Sequence, residues 1–438
     1  MENMKAAKEK TKGLVPYSLG FLSNSLTYVV ISNLNYALTQ SVGLTAITVG
    51  SIFLFSRIFD GVTDIIASFI VDHTHTKWGK ARPYDLMLLP LWLLVIMCFS
   101  VPGNFSTFGK VLWVVLTYNM CQSVCYTFTQ VAEATRLKRS FPESTRSKVV
   151  AASAAIGTLG GIVIGAMMPV LISIFENQPH GWTIISSIVS IPCMIAGLCR
   201  FLFLREMDED TPEERKQSVP FKTAVKVLFK NKYVFMLGAA LLMLAMNNSV
   251  TSPATTYYFK FIYGDVAAAA IPSLIGSFSL ILIVFMPKLM EKFGSRNIMV
   301  AAFAALVLGN LAKYLMPVNI IWLTVCSILA SLGVLYMSSM KNIALIECMN
   351  YGKEQSGVEM EAVYSSVSGV ADKLGLGIGS FLLGLILQLG GYDGNLLVQP
   401  QSALTSVQFC YAALPAILGV IGMIAIWFYA PTKQRKKA

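Results

Sequence analysis

Three charged side chains occupy one face of an apolar segment near the start of the chain. Arg57, Asp60 and Asp64 stand at i, i+3 and i+7, with Thr63 beside them, and residues at this spacing share a helix face. Charges inside a membrane span are costly and by default mark an ion path, a proton relay or an internal ion pair. Two carboxylates against one guanidinium leave a net negative site that would attract a cation or hold a proton. The alternative is a structural ion pair that fixes helix packing.

A second pair of charges lies in a later apolar segment, where Asp372 directly precedes Lys373. A lysine in the middle of a span needs a charged partner or a polar cavity. Adjacent helical residues point apart, so we expect Lys373 either to reach the Asp60 and Asp64 face or to bind solute oxygens. A packing salt bridge is the alternative. The glycines that follow, Gly375, Gly377 and Gly379, are interpreted as positions of close helix packing.

Polar residues also recur in the predicted fourth span. Thr127, Gln130 and Glu133 stand at i, i+3 and i+6. This spacing places them broadly on one side of a helix. From that side they could face a cavity.

Helices in a bilayer must position these residues, because the composition does not fit a soluble protein. The chain has 438 residues, of which 55% are hydrophobic and 13% charged, whereas a soluble chain carries roughly 25% charged residues. The apolar runs repeatedly reach the roughly 20 residues that a bilayer core requires. An all-α membrane protein of twelve transmembrane helices is predicted. The spans cover 14–39, 44–71, 84–103, 110–135, 149–175, 181–204, 233–262, 268–290, 297–316, 319–346, 361–390 and 405–430.

The basic residues predict the orientation of the chain. The formal net charge of +11 is compatible with nucleic acid, but Lys and Arg collect in alternate loops, as cytoplasmic loops do. We therefore expect no nucleic-acid partner and place both termini in the cytoplasm. The start of the chain lacks a cleavable signal pattern, and the expected location is the cell (inner or plasma) membrane, multi-pass. The basic clusters lie at 5–12, 77–82, 136–148, 288–296, Lys353 and 433–437.

One long polar connection separates six predicted spans from six more. It divides the chain into an N-terminal six-helix half at 1–204, a cytoplasmic central loop with an amphipathic segment at 205–232, and a C-terminal six-helix half with a basic tail at 233–438. This two-half layout is typical of the major facilitator fold, whose solute site lies between the halves. Layout alone leaves a channel, a receptor or a membrane enzyme open, because a fold does not fix a function.

Over nearly its whole length the chain resembles the glycoside–pentoside–hexuronide:cation symporter family. The resemblance is strongest in four places, of which the second and fourth are the most specific. They are residues 17–20; residues 57–64 with Asp72 and 78–83; Glu347 with 350–352 and 356–357; and Glu361 with 364–365, Lys373 and Gly375.

The resemblance implies roles for individual residues. A cation site is implied at Asp60, Thr63, Asp64 and Thr127. Lys373 matches the basic residue that lies beside the cation and sugar sites. The loop after the second span is interpreted as a cytoplasmic gating motif, with Asp72, Gly79, Lys80 and Arg82.

The chain departs from the family where a galactoside would be bound. Two family carboxylates fall on Ser25 and Gln130, a tryptophan on Ala134 and an arginine on Ala154. The loss of two carboxylates with Lys373 kept makes the pocket less negative and suits an anionic solute. A hexuronide or other acidic glycoside is therefore slightly favoured over a neutral one. The candidate solute-binding residues are Ser25, Arg57, Gln130 and Lys373.

The predicted function is cation-coupled symport of a glycoside, pentoside or hexuronide by alternating access. Sodium needs several oxygens and a proton needs one carboxylate, so both ions stay open. Beyond the coupling ion no cofactor is expected, and the chain is expected to work as a monomer. Two alternatives are a lysophospholipid-type lipid transporter of the same superfamily and a non-transporting membrane sensor. An enzyme is not expected, because no nucleophile–base or metal constellation is found.

Overall fold

The computed structural model describes residues 13–74, 76–206, 231–316, 318–356, 361–396 and 398–430. These residues form helices and no named strand. Nine helical stretches within them are long and apolar enough to cross a membrane. The predicted all-α membrane protein is confirmed, whereas the count of twelve spans stays a prediction. The predicted amphipathic segment and the basic tail lie outside the described residues.

The described residues fall into two compact units. The first lies within Met1–Pro212 and also includes Asp393–Leu397, and the second lies within Glu213–Tyr392 and Val398–Ala438. In the first unit Gly394 lies against the main chain of Thr39, since a Cβ on Gly394 would stand 1.9 Å from the Thr39 carbonyl oxygen. The predicted boundaries after residues 204 and 232 stay a prediction.

The first unit contains eight α-helices in its described part. The first predicted span is interrupted between the first two helices, where Ser32 and Asn33 both donate side-chain hydrogen bonds to the Val29 carbonyl, at 2.8 and 3.0 Å. Such side chains compete with the helix for backbone acceptors. The helices are α1 (Leu14–Ile31), α2 (Leu34–Gln40), α3 (Ala46–Asp72), α4 (Leu88–Phe99), α5 (Thr107–Asn119), α6 (Thr127–Ser140), α7 (Glu143–Phe175) and α8 (Gly181–Phe203).

The helix α3 carries the charged face found in the sequence. Its first turn is capped by Thr45, whose hydroxyl accepts the N–H of Thr48 at 3.4 Å. The helix has 27 residues. At about 1.5 Å per residue it is about 40 Å long, which exceeds the roughly 30 Å of a bilayer core. Asp60 is nevertheless only 2% exposed, so its carboxylate is directed into the protein.

Two irregular segments of the first unit position polar residues. A 3-10 helix at Arg82–Met87 leads into α4, and a π-helical turn at Met120–Tyr126 joins α5 to α6. A π turn widens the helix locally and is frequent at functional sites. The sequence patterns predicted one regular span across 110–135 and missed this turn.

A buried network of charges joins the 3-10 helix before α4 with α6 and α8 in the first unit. Arg200 lies 2.7 Å from Asp85 and 2.8 Å from Glu133, and Arg136 also pairs with Asp85. Two guanidiniums and two carboxylates balance, which is the condition for keeping charges in the interior. The structure corrects one expectation here, because Arg136 is buried and does not lie in a basic loop. Glu133 binds Arg200, and a cavity shared by Thr127, Gln130 and Glu133 stays a prediction.

The second unit contains seven α-helices in its described part. The predicted break between the eighth and ninth spans appears as a kink at Gly294, whose φ of 75° is non-helical. The segment at 268–290, predicted as one regular span, is partly 3-10 helix, at Ala267–Ala269 and Phe278–Phe285. The helices are α9 (Lys232–Tyr258), α10 (Ala270–Ser277), α11 (Met286–Lys313), α12 (Ile320–Ser356), α13 (Glu361–Leu389), α14 (Gln401–Gln408) and α15 (Leu414–Trp427).

The helices α9 and α13 pack closely through glycines. A Cβ on Gly375 would stand 2.6 Å from the Leu242 carbonyl oxygen, and one on Gly379 would stand 2.7 Å from the Met246 carbonyl oxygen. No side chain fits in that space. The predicted role of these two glycines in helix packing is confirmed.

Candidate cation site

The carboxylate of Asp60 lies between two donors. Arg57 Nη1 donates to Asp60 Oδ2 at 2.9 Å, and the Ser123 hydroxyl donates to Asp60 Oδ1. The side chains of Arg57 and Asp60 are 13% and 3% exposed. A buried carboxylate is tolerated when it is paired and hydrogen-bonded. Each oxygen of Asp60 therefore has a fixed partner from α3 or from the π turn.

The carboxylate of Asp64 lies one turn further along α3. The hydroxyl of Thr127, the first residue of α6, lies 3.3 Å from Asp64 Oδ1 and 3.3 Å from the Gln122 carbonyl oxygen. Thr127 is buried, whereas Asp64 is partly exposed. The structure thus brings together the Asp64 carboxylate of α3 and the Thr127 hydroxyl of α6, which the family resemblance assigns to one site.

The hydroxyl of Thr63 hydrogen-bonds to its own helix. It lies 3.1 Å from the main-chain carbonyl oxygen of Asp60 and 3.5 Å from that of Phe59. A donating hydroxyl keeps lone pairs that can face a cation. The role of Thr63 as a ligand stays a prediction.

Ser123 is the site residue that the sequence patterns missed. It lies in the π turn, is fully buried, and its hydroxyl also lies 3.2 Å from Asn119 Oδ1. The Asn119 amide is itself fixed by the Val115 carbonyl at 2.7 Å. Asn119, Ser123 and Thr127 are four residues apart, and this i, i+4 pattern was the signal available in the sequence.

The charges of this group do not balance among themselves. Asp60 and Asp64 contribute two carboxylates and Arg57 one guanidinium, which leaves one negative charge in excess. Ser123 and Thr127 add hydroxyl oxygens that contact the two carboxylates. A monovalent cation or a proton would neutralise the group, and neutralisation matters most where the surroundings are apolar.

The other predicted solute residues of the first unit make local hydrogen bonds. The Ser25 hydroxyl donates to the Phe21 carbonyl at 2.9 Å, and the Gln130 amide donates to the Tyr126 hydroxyl at 2.6 Å. Ser25 is partly buried, and Gln130 is exposed. Their roles in solute binding stay predictions.

In the second unit Lys373 lies half-buried on α13. Its neighbour Asp372 pairs with Lys341 of α12. This pair was missed because its members are 31 residues apart and belong to different helices. The role of Lys373 in solute binding stays a prediction.

The loop after α3 holds the carboxylate of Glu206. The N–H groups of Lys80, Ala81 and Arg82 donate to it at 2.9, 2.8 and 2.6 Å. Gly79 has a φ of 113°, and a Cβ there would stand 2.5 Å from Glu206 Cδ, so glycine is required on both counts. The side chain of Asp72 lies outside the described residues, and the gating role of this motif stays a prediction.

Nine helical stretches of the described residues that are long and apolar enough to cross a membrane, together with the buried carboxylate of Asp60, are typical of membrane transporters. The chain belongs to the MFS/sugar transport protein family, which matches residues 16–433. It is 28% identical to the isoprimeverose transporter of Lactiplantibacillus pentosus, covering 97% of this chain and 91% of the relative. It is 24% identical to the glucuronide carrier protein homolog of Escherichia coli strain K12, covering 97% and 93%.

The fold is also that of solved transporters. The crystal structure of a bacterial homologue of the human lysosomal transporter Spinster superposes with a TM-score of 0.70 at 14% identity, covering 96% of each chain. At this identity the likeness concerns the fold alone.

Two further relatives by sequence, from Bacillus subtilis and Escherichia coli, are named as symporters.

These matches confirm several predictions made from the sequence. The chain is a member of the glycoside–pentoside–hexuronide:cation symporter group, a cation-coupled symporter and a multi-pass protein of the cell membrane. It is a transporter and not an enzyme. The lipid-transporter and sensor alternatives are not favoured.

Proposed function

We propose that Asp64, Thr127, Ser123 and Asp60 bind the coupling cation, and that the chain carries a sugar-derived solute with this ion by alternating access. The observation that supports this most is the meeting of two α3 carboxylates with two hydroxyls of the adjoining helical segment, at 3.3 Å for Asp64 and Thr127. Thr63 contributes a further oxygen from α3. No cofactor other than the ion is proposed.

The two carboxylates, Asp60 and Asp64, have different hydrogen bonds and therefore different roles in cation binding. Both oxygens of Asp60 already accept hydrogen bonds, from Arg57 and Ser123, so Asp60 contacts the ion with a carboxylate that these two donors hold in place. Asp64 accepts a longer bond from Thr127, which a cation can replace with little loss. Asp64 is therefore the carboxylate that gains most from the ion, whether this is Na+ or H+.

The proposed solute is a glycoside, pentoside or hexuronide. The names of the relatives, an isoprimeverose transporter and a glucuronide carrier protein homolog, support a sugar-derived solute. An acidic sugar is favoured because Ser25 and Gln130 replace two family carboxylates, while Lys373 is kept. Carboxylates at those positions would repel an anionic solute strongly in a low-dielectric site. Arg57 and Lys373 would supply the positive charges that such a solute needs.

We further propose twelve spans, both termini in the cytoplasm and a monomer that binds no nucleic acid. The alternation of basic and non-basic loops supports the orientation. Cysteine labelling from each side of sealed vesicles would test it, after replacement of the eight native cysteines. Single cysteines are placed at Asn104, in the loop between α4 and α5, and at Pro142, in the loop between α6 and α7. Labelling of both loops from the same side would contradict the proposed orientation.

One thermal-shift experiment on the purified chain would identify both the solute and the ion. A ligand that binds the folded state raises its apparent melting temperature. Glucuronides and neutral glycosides are compared with and without sodium at two pH values. A shift that requires an acidic glycoside and grows with sodium supports Na+-coupled transport, and one that grows at lower pH without sodium supports proton coupling.

Uptake of the solute into proteoliposomes would test whether transport is coupled to the ion. Solute should accumulate against its gradient when an inward gradient of the identified ion is imposed, and it should only equilibrate without that gradient. Equilibration under every ion gradient would contradict coupling. A shift with a lysophospholipid and with no sugar would contradict the proposed solute class and favour the lipid alternative.

A further inference from the structure

A polar cavity lies in the first unit, and neither Asp60 nor Asp64 lines it. It has a volume of about 680 Å³ and is formed by the loop after α3 with the ends of α6 and α8. Five basic side chains line it, together with Trp78 and Glu206. The basic residues are Lys77, Lys80, Arg82, Arg139 and Arg205.

The wall of this cavity is built with fixed geometry. Glu206 is 5% exposed at its side chain and is held by the three main-chain N–H groups of residues 80–82. Arg82 donates from Nε to the Phe201 carbonyl at 2.9 Å, and its guanidinium stands 4.9 Å over the Phe201 ring. The main chain and one guanidinium are therefore positioned before any ligand arrives.

The charge of the cavity is strongly positive. Among the lining residues that the structure describes, Glu206 is the single carboxylate against five basic side chains, and it lies 4.0 Å from Arg139. Lys77 is exposed and Lys80 is half-buried at the same opening. Concave sites lined by charges of one sign concentrate ions of the other sign.

We propose that this cavity binds a phosphate group, as carried by the headgroup of an anionic phospholipid. Basic pockets at the surface of a membrane bind such headgroups. Trp78, at the same opening, is 53% exposed and packs edge-on against Phe201 at 5.6 Å. Exposed tryptophans of membrane proteins favour the headgroup layer, which places the opening where phospholipid phosphates are found. The site is separate from the cation site and does not depend on the proposed transport function.

The test compares two double variants of the full chain in detergent. Lys77→Gln/Lys80→Gln removes two charges from the cavity and keeps the main-chain N–H of Lys80 that holds Glu206. Lys288→Gln/Lys292→Gln removes two exposed lysines from the corresponding basic segment of the second unit and is the matched control. Native mass spectrometry during titration gives the affinity for the first phosphatidylglycerol and for phosphatidylcholine, and thermal shift gives the affinity for inorganic phosphate.

We expect the unchanged chain to bind phosphatidylglycerol more tightly than phosphatidylcholine. Loss of two basic contacts should weaken this binding about thirtyfold in the Lys77/Lys80 variant, with no change in the control. Binding of inorganic phosphate that is lost in the same variant would support the site and identify a soluble phosphate as its source. Equal affinity of the Lys77/Lys80 variant and the unchanged chain, equal weakening in the control, or no binding of any phosphate would overturn the proposal.

Discussion

Asp60 and Asp64 are the same residue type on the same helix face, but their surroundings give them different tasks. Asp60 is the partner of a mostly buried guanidinium, Arg57, at 2.9 Å. Asp64 is partly exposed and contacts the Thr127 hydroxyl at 3.3 Å. The removal of one charge from a buried ion pair leaves the other charge without compensation, and this is far more costly than the loss of a weak hydrogen bond.

The variants Asp60→Asn and Asp64→Asn should therefore have different defects. Asp60→Asn is expected to lower the free energy of unfolding by about 3 kcal/mol, with a lower melting temperature in detergent. Asp64→Asn is expected to keep the melting temperature and to abolish uphill accumulation in proteoliposomes. Normal accumulation by Asp64→Asn would remove Asp64 from the cation site. Equal melting temperatures of the two variants would contradict the division between them.

The Ser123 hydroxyl gives a second prediction at the residue scale. Hydrogen bonds to charged groups contribute about 1.5–3 kcal/mol, so Ser123→Ala should raise the cation concentration for half-maximal uptake at least about tenfold. Ser153→Ala is the matched control, because it removes another buried hydroxyl of the same unit, bonded at 3.0 Å to Ser18. Unchanged cation dependence in Ser123→Ala would restrict Ser123 to a structural role.

At the scale of the element, the sequence predicted what composition and periodicity determine. The charged face of α3 followed from the spacing of Arg57, Asp60 and Asp64, because that helix is regular over 27 residues. The π turn at Met120–Tyr126 did not follow, since its hydrogen-bond register is decided by packing and not by local residue type. The contacts of Glu206 with residues 80–82 were missed for a related reason: they join segments about 125 residues apart, and no short-range pattern encodes them.

Packing of α9 against α13 gives a prediction that belongs to this scale. Gly379→Ala is expected to destabilise the protein by about 1–3 kcal/mol, because the added methyl overpacks the contact with the Met246 main chain. Gly161→Ala is the control: nothing lies within 4 Å of the position of its Cβ, and alanine favours a helix over glycine. Thermal denaturation of both variants should show a loss for the first and no loss for the second. Equal stability would mean that α13 shifts freely to admit the methyl.

At the scale of the whole molecule, symport requires that ion and solute bind with mutual dependence. This dependence is a coupling free energy, and it is reciprocal: if the ion tightens solute binding by a given factor, the solute tightens ion binding by the same factor. A typical coupling of about 1–3 kcal/mol corresponds to roughly 5- to 150-fold. Calorimetric titration of solute at zero and saturating ion, and of ion at zero and saturating solute, should return equal factors.

The variant Asp64→Asn gives this prediction its sharpest form. The solute should still bind, since Asp64 is assigned to the ion, but its affinity should no longer respond to the ion, so that the coupling factor falls to about one. Retained solute binding without ion dependence separates a lost cation site from a misfolded protein. If the variant keeps the full coupling factor, the ion binds elsewhere in the molecule, and the carboxylate pair of α3 is then a structural feature of the first unit.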